Sequence, residues 1–142
     1  MSRSGYVEGM EYNWARIMWR GAVASSIRGK RGQAFLRELI EALDAMPEKR
    51  LIANALVKGG EVCALGSVGA KRGVEMDALD PEDFDTLAGV FGVAAPLVQE
   101  LEWMNDDAAW NATPEKRWQI IRDWAASNLR VPQPRQATGE VG

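Results

Sequence analysis

The sequence predicts a mainly α-helical fold: a compact bundle of about six helices with at most one short β-hairpin near residues 55–63. Three observations carry this. Apolar residues recur at spacings of three and four along most of the 142-residue chain. Each such stretch is bracketed by helix punctuation, with Asn, Asp or Thr and Pro at the start and Gly or Pro at the end. Only Lys58-Gly59-Gly60-Glu61, between Leu56-Val57 and Val62-Cys63, has the chemistry of a tight hairpin, because paired glycines supply positive φ angles.

In chain order, residues 1–12 are polar, without a period, and read as a mobile N-terminus. One globular domain is expected over 13–129, with 130–142 as a flexible tail. Asn13 is the expected N-cap of a first helix, in which Trp14, Ile17, Met18, Gly21, Ala22 and Ser25 repeat at helical spacing beside Trp19, Val23 and Ile27. So much of its circumference is apolar that a central position in the core is expected. After Gly29-Lys30-Arg31-Gly32 a second helix buries Phe35, Leu36, Leu39, Ile40 and Leu43, with Arg37 and Glu41 paired on the solvent side. Met46-Pro47 ends it, and Pro47 is expected to open a short helix through Leu51, Ile52 and Leu56.

The stretch Gly59–Gly73 holds the one cysteine and five of the fourteen glycines. Beyond the hairpin, Val62, Gly66, Gly69 and Gly73 share one face of a short helix opened by Cys63. Glycine costs roughly 1 kcal/mol against alanine inside a helix, so another backbone is expected to pack closely there. Cys63 reads as a small buried packing residue; a reactive thiol activated by the helix N-terminus is the competing reading. Asp80-Pro81-Glu82-Asp83 then signals a helix start, with Phe84, Leu87, Ala88 and Phe91 inward and Gly92 as the stop. Pro96 opens a helix striped by Leu97, Val98, Leu101 and Met104. The turn Asn105-Asp106-Asp107 follows, and Thr113-Pro114-Glu115 starts a last helix with Trp118, Ile121, Trp124 and Ala125 inward.

Charge is unevenly laid out. Residues 1–50 carry nine Lys/Arg against six Asp/Glu, residues 51–112 three against eleven, and residues 113–142 five against three. Such a chain can present a basic and an acidic face to different partners. There is no histidine, which removes the commonest general base and metal ligand. With one cysteine, neither an internal disulfide nor a zinc site is expected. No apolar run is long enough for a membrane span and no signal-peptide core precedes the domain, so a cytoplasmic protein without a membrane partner, catalytic set, metal or cofactor is expected.

Three constellations bear on function. Ile27-Arg28-Gly29-Lys30-Arg31-Gly32-Gln33-Ala34-Phe35 resembles the Gly-x-x-Gly loop by which KH domains clamp a nucleic-acid backbone. A KH domain also needs a three-stranded sheet, for which residues 1–12 and 46–62 offer little. Phosphate contact by Arg16, Arg20, Arg28, Lys30 and Arg31 is one reading, and a solvated helix–helix turn is the other. Asn105-Asp106-Asp107 could hold a hard cation, but capping is the favoured reading. Arg117, on the inward face of the last helix, wants a buried partner, with Asp106 or Glu102 expected. Six tryptophans are an excess. Trp103 lies off the apolar stripe of its helix and Trp110 in a polar loop, so the two are candidate partner-binding residues, rimmed by Glu100, Glu102 and Asp107.

Trp19-Arg20-Gly21-Ala22-Val23 leading to Gly29-Lys30-Arg31-Gly32-Gln33-Ala34-Phe35-Leu36, then Glu61-Val62-Cys63-Ala64-Leu65-Gly66 and the Asn105-Asp106 turn before a Trp-rich helix, form a pattern over roughly residues 14–129. In this pattern the chain resembles small proteins carried by bacteriophages and prophages, a family without an established activity. The expectation is a non-enzymatic, phage-encoded protein that binds a host protein or defence complex in the host bacterial cytoplasm. The alternative is a nucleic-acid-binding accessory protein using the Gly-Lys-Arg-Gly loop.

Overall fold

The computed structural model describes residues 13–130, with side chains from Ile17 onward. The expected mobile N-terminus, the tail beyond Arg130 and the side chains of Asn13, Trp14 and Arg16 lie outside the described residues. Six α-helices and one two-stranded sheet make up the fold among the described residues. The helices are α1 (Asn13–Arg28), α2 (Lys30–Ala45), α3 (Ala64–Arg72), α4 (Phe84–Phe91), α5 (Ala95–Trp103) and α6 (Pro114–Ser127); the strands are β1 (Val57–Lys58) and β2 (Glu61–Val62).

Two helices organise the packing. α2 lies against α1, α3 and α6, and α5 lies against α1, α3 and α4. The heptad-like stripe of α2 accounts for its place: Phe35, Leu36, Leu39 and Leu43 are all buried. They meet Leu65 and Val68 of α3, Leu87 and Phe91 of α4, Leu97 and Leu101 of α5, and Ile121 of α6 in a single core. Phe35 and Phe91 pack edge to face, with ring centroids 6.4 Å apart. Emptying one of these leucine sites would cost about 2–5 kcal/mol.

The hairpin forms where expected. Val57 pairs with Val62 and Lys58 with Glu61, around Gly59 (φ 59°) and Gly60 (φ 83°). Both central residues thus take the left-handed region that a two-residue turn requires. Cys63 follows as N-cap of α3, its Sγ accepting from the Gly66 amide at 3.4 Å. The close backbone approach inferred from the glycine face occurs at Gly66, where a Cβ would collide with the Leu56 carbonyl oxygen. Gly69 instead accommodates the Met76 side chain, and Gly73 ends α3 in the left-handed region.

Four expectations need correction. α1 is not central: Ile17 and Met18 are 62% and 59% exposed, while Val23 and Ile27 are buried. Among the described side chains, one face of the helix is used: Val23 and Ile27, with Trp19 packed against the core. No helix follows Pro47; residues 46–56 run irregularly to the hairpin. There the Leu51 amide donates to Pro114 O (3.0 Å) and the Ile52 amide to Val62 O (2.9 Å), and Asn54 takes φ 66°. Leu51 and Leu56 are buried as their apolarity requires, but their segment's backbone is committed to distant partners. α4 starts at Phe84, capped by Asp83, whose side chain accepts from the Thr86 amide; Asp80 turns the chain earlier by accepting from the Glu82 amide. Finally, Asn105-Asp106-Asp107 is no simple turn. Met104–Ala108 is a π-helical turn continuing α5 without a break.

α5 runs back along α1. Ala94 shares a cleft with Ser25, Ser26 and Gly29, while Glu100 meets Arg20. This antiparallel alignment brings Trp103, at the C-terminal end of α5, toward the end of α1 that carries Ile17.

Candidate functional site

The π-helical turn carries Asp107 and the loop behind it Trp110, while Trp103, Glu100 and Glu102 lie on α5; a buried polar knot holds the turn and the loop in place. Asn105 is the keystone. Its Oδ1 accepts from the Ala64 amide at the start of α3 (3.1 Å), and its Nδ2 donates to Ile52 O (2.9 Å) and to Asp106 Oδ1 (2.8 Å). Asp106 Oδ1 also accepts from the Asn54 amide at 3.0 Å. A π turn widens the helix by one residue, which aims side chains a regular helix would not bring together.

Arg117 enters this knot from α6. It is 6% exposed, and its guanidinium donates to four main-chain carbonyls: Asn105 (2.8 Å), Leu51 (3.1 Å), Ala109 (3.2 Å) and Ala112 (3.4 Å). The expected ion pair with Asp106 or Glu102 is therefore replaced by a carbonyl cage. The fork of donors suits this arrangement, since Arg can bond several fixed acceptors at once. Residues Ala109 and Ala112 flank Trp110, so one buried cation clamps the loop on both sides of it.

Trp110 itself is 76% exposed, held at its backbone by donation from its amide to Asp107 O (3.2 Å). Trp103 and Asp107 are half-buried. The remaining two expected rim residues do not belong to the surface: Glu100 is 5% and Glu102 1% exposed. Two residues apart on α5, they point to different sides of the helix. Glu100 is met by Arg20 in a two-pronged ion pair, Nη1 to Oε1 at 2.9 Å and Nη2 to Oε2 at 3.2 Å. One residue expected to bind nucleic acid and one expected to rim a protein surface thus hold each other.

The basic corner is tighter than a loop. α1 ends at Arg28, Gly29 is the extended N-cap of α2, and α2 begins at Lys30. Gly32 is required by packing: a Cβ there would collide with the Ser26 carbonyl oxygen. The glycine spacing that resembles a KH loop is thus accounted for by two helices meeting at close range. The one sheet among the described residues has two strands, not three. Arg28, Lys30 and Arg31 are nonetheless all exposed.

Cys63 is buried and reduced. Among the described residues, no cluster of His, Cys, Asp and Glu could hold a metal ion, and no helix is long and apolar enough to cross a membrane. Outside the knot, two of the ion pairs among the described residues tie α2 to its neighbours. Glu38 of α2 takes Arg72 of α3 at 2.6 Å, and Asp44 of α2 takes Arg122 of α6 at 2.8 Å. In each, the hydrogen bond from the arginine holds the carboxyl below its ordinary range and raises the guanidinium.

Sequence reasoning missed Asn105 as the keystone and the carbonyl cage of Arg117. The inward position of Arg117 signalled that it needed acceptors, but main-chain carbonyls carry no residue identity to read. The chain matches no protein-family model, no curated protein and no solved structure.

Proposed function

We propose that the chain is a non-enzymatic binding protein, encoded by a bacteriophage or prophage, that docks on a host protein or defence complex in the bacterial cytoplasm. The docking surface centres on Trp110, with Trp103 and Asp107 beside it. The observation that carries the reading is that Trp110 is 76% exposed on a loop whose two flanks are held by the buried Arg117. A large aromatic presented on a fixed backbone loses little freedom on binding, which is how rigid surface residues gain affinity. Tryptophan is also among the residues most enriched at the energetic centres of interfaces. With Glu100 and Glu102 buried, the rim is less acidic than the sequence suggested, and steering by charge plays a smaller part.

The direct test is capture from host lysate with the wild-type chain and with Trp110→Ala, each with and without nuclease. A partner retained by the wild type, lost by a variant of unchanged melting temperature and indifferent to nuclease supports the reading. A partner retained equally by Trp110→Ala contradicts it.

A second reading is a nucleic-acid-binding accessory protein. Exposure of Arg28, Lys30 and Arg31 together at the start of α2 favours it, because phosphate groups are attracted to exposed amides and cations at such a position. Loss of the captured material on nuclease treatment would move the assignment to this reading.

A further inference from the structure

Beside the basic corner, α1 and the end of α6 form a cleft of about 370 Å³ lined by Arg20, Arg28 and Arg130 among small and apolar residues. Among the described residues, no carboxylate lines it. Around the corner, Lys30 and Arg31 line a second cleft of about 270 Å³, again with no carboxylate among the described residues. This is a local reversal in a chain with more acidic than basic residues. The cleft's geometry is fixed from beneath. Gln33, buried, donates to Ile27 O (2.8 Å) and Asn128 O (3.0 Å) and accepts from the Arg130 amide (2.8 Å). One amide side chain thus ties the ends of α1 and α6 together and places Arg130 next to Arg28.

We propose that these two clefts, on either side of the C-terminal end of α1, bind a single nucleic-acid strand that passes around that end, held by its phosphodiester backbone with Arg130 and Arg28 on one stretch and Lys30 and Arg31 on the next. Arg20 serves mainly to hold Glu100 and contributes one edge. The inference deepens the nucleic-acid reading above and rests on it for the Lys30 and Arg31 half; Arg130 and the α1–α6 cleft are new. Guanidinium forks match phosphate oxygens in pairs, and phosphate contacts of this kind position a strand without reading its sequence. An acidic peptide is the poorer fit. The Lys30 and Arg31 cleft, otherwise lined by Ser25, Ser26, Gly29, Gly32 and Ala94, offers a peptide few apolar contacts.

The test is fluorescence anisotropy with a labelled oligothymidylate, titrated at several salt concentrations. Four phosphate contacts on a single strand predict an affinity loss of about 50-fold between 50 and 200 mM salt, and removing one contact reduces the loss to about 20-fold. Arg130→Ala should show the reduced salt dependence with an unchanged melting temperature, and Arg130→Lys should restore it. Should Arg130→Ala unfold, Arg130→Gln, which keeps a donor without the charge, takes its place. A salt slope unchanged in the uncharged Arg130 variant but reduced in Lys30→Ala/Arg31→Ala leaves the corner reading standing and overturns this inference. No binding by the wild type at low salt overturns both. Equal affinity for a polyglutamate probe overturns the assignment to nucleic acid.

Discussion

Arg117 Nε lies 2.8 Å from the carbonyl oxygen of Asn105, and this contact fastens the last helix to the π-helical turn beneath Trp110. Because the same guanidinium also reaches Ala109 and Ala112, one residue couples the stability of the bundle to the pose of its most exposed tryptophan. Arg117→Met should therefore lower stability by about 3 kcal/mol, since several buried carbonyls would lose a charged donor at once. It should also weaken partner binding by freeing the Trp110 loop. Arg117→Lys, with a point charge in place of a fork, should fall between. Chemical denaturation of the three proteins gives the order.

The pairing of Arg20 with Glu100 makes an asymmetric prediction. Arg20 is exposed and Glu100 buried, so removing Glu100 leaves a cation that water can solvate, whereas removing Arg20 deprives a buried carboxylate of its guanidinium. Arg20→Ala should destabilise more than Glu100→Gln, with the first costing about 1–3 kcal/mol. Equal melting curves for the two variants would count against this role for the pair.

Acid should loosen the bundle through Glu38 and Asp44. Their carboxyls sit below the ordinary values of 4.5 and 3.8 because Arg72 and Arg122 hydrogen-bond the charged forms. A depressed folded-state pKa gives stability that is present above the unfolded value and lost as pH falls through the folded one. The melting temperature should thus be flat near neutrality and decline below about pH 4.5. The double variant Glu38→Gln/Asp44→Asn should show a shallower decline over the same range.

Cys63 should behave as a packing and capping residue. Buried, with its sulfur accepting the Gly66 amide, it should react slowly with thiol reagents in the native protein and rapidly in denaturant. Fast native labelling would restore the reactive-thiol reading.

What could be read from sequence, and what could not, divides along a physical line. The fold class, the Gly59-Gly60 hairpin, the buried stripe of α2 except for the half-buried Ile40, the helix start at Thr113 and the close approach at Gly66 follow from local spacing and backbone preference, and are present. Residues 46–56 misled because Leu51 and Leu56 are buried without being helical; the Leu51 amide bonds Pro114 O, the Ile52 amide bonds Val62 O and the Leu56 carbonyl accepts from the Cys63 amide, partners that lie beyond a helical turn. α1 misled because apolar content states what could be buried, not whether a neighbour arrives, and Ile17 and Met18 face outward. Of the candidate docking set, Trp110 was legible from its polar loop. Glu100 and Glu102 were not, because carboxylates are ordinarily surface residues and only tertiary packing, for Glu100 the contact of α5 with Arg20 of α1, places them inside.

The most direct measurement is Trp110→Ala, assayed for melting temperature and for binding to the captured partner. A residue this exposed should contribute within about ±0.5 kcal/mol to folding. As the centre of an interface it should contribute 2 kcal/mol or more to binding, a loss of about 30-fold in affinity. The account predicts an unchanged melting temperature and lost binding. A large fall in melting temperature with binding intact would contradict it.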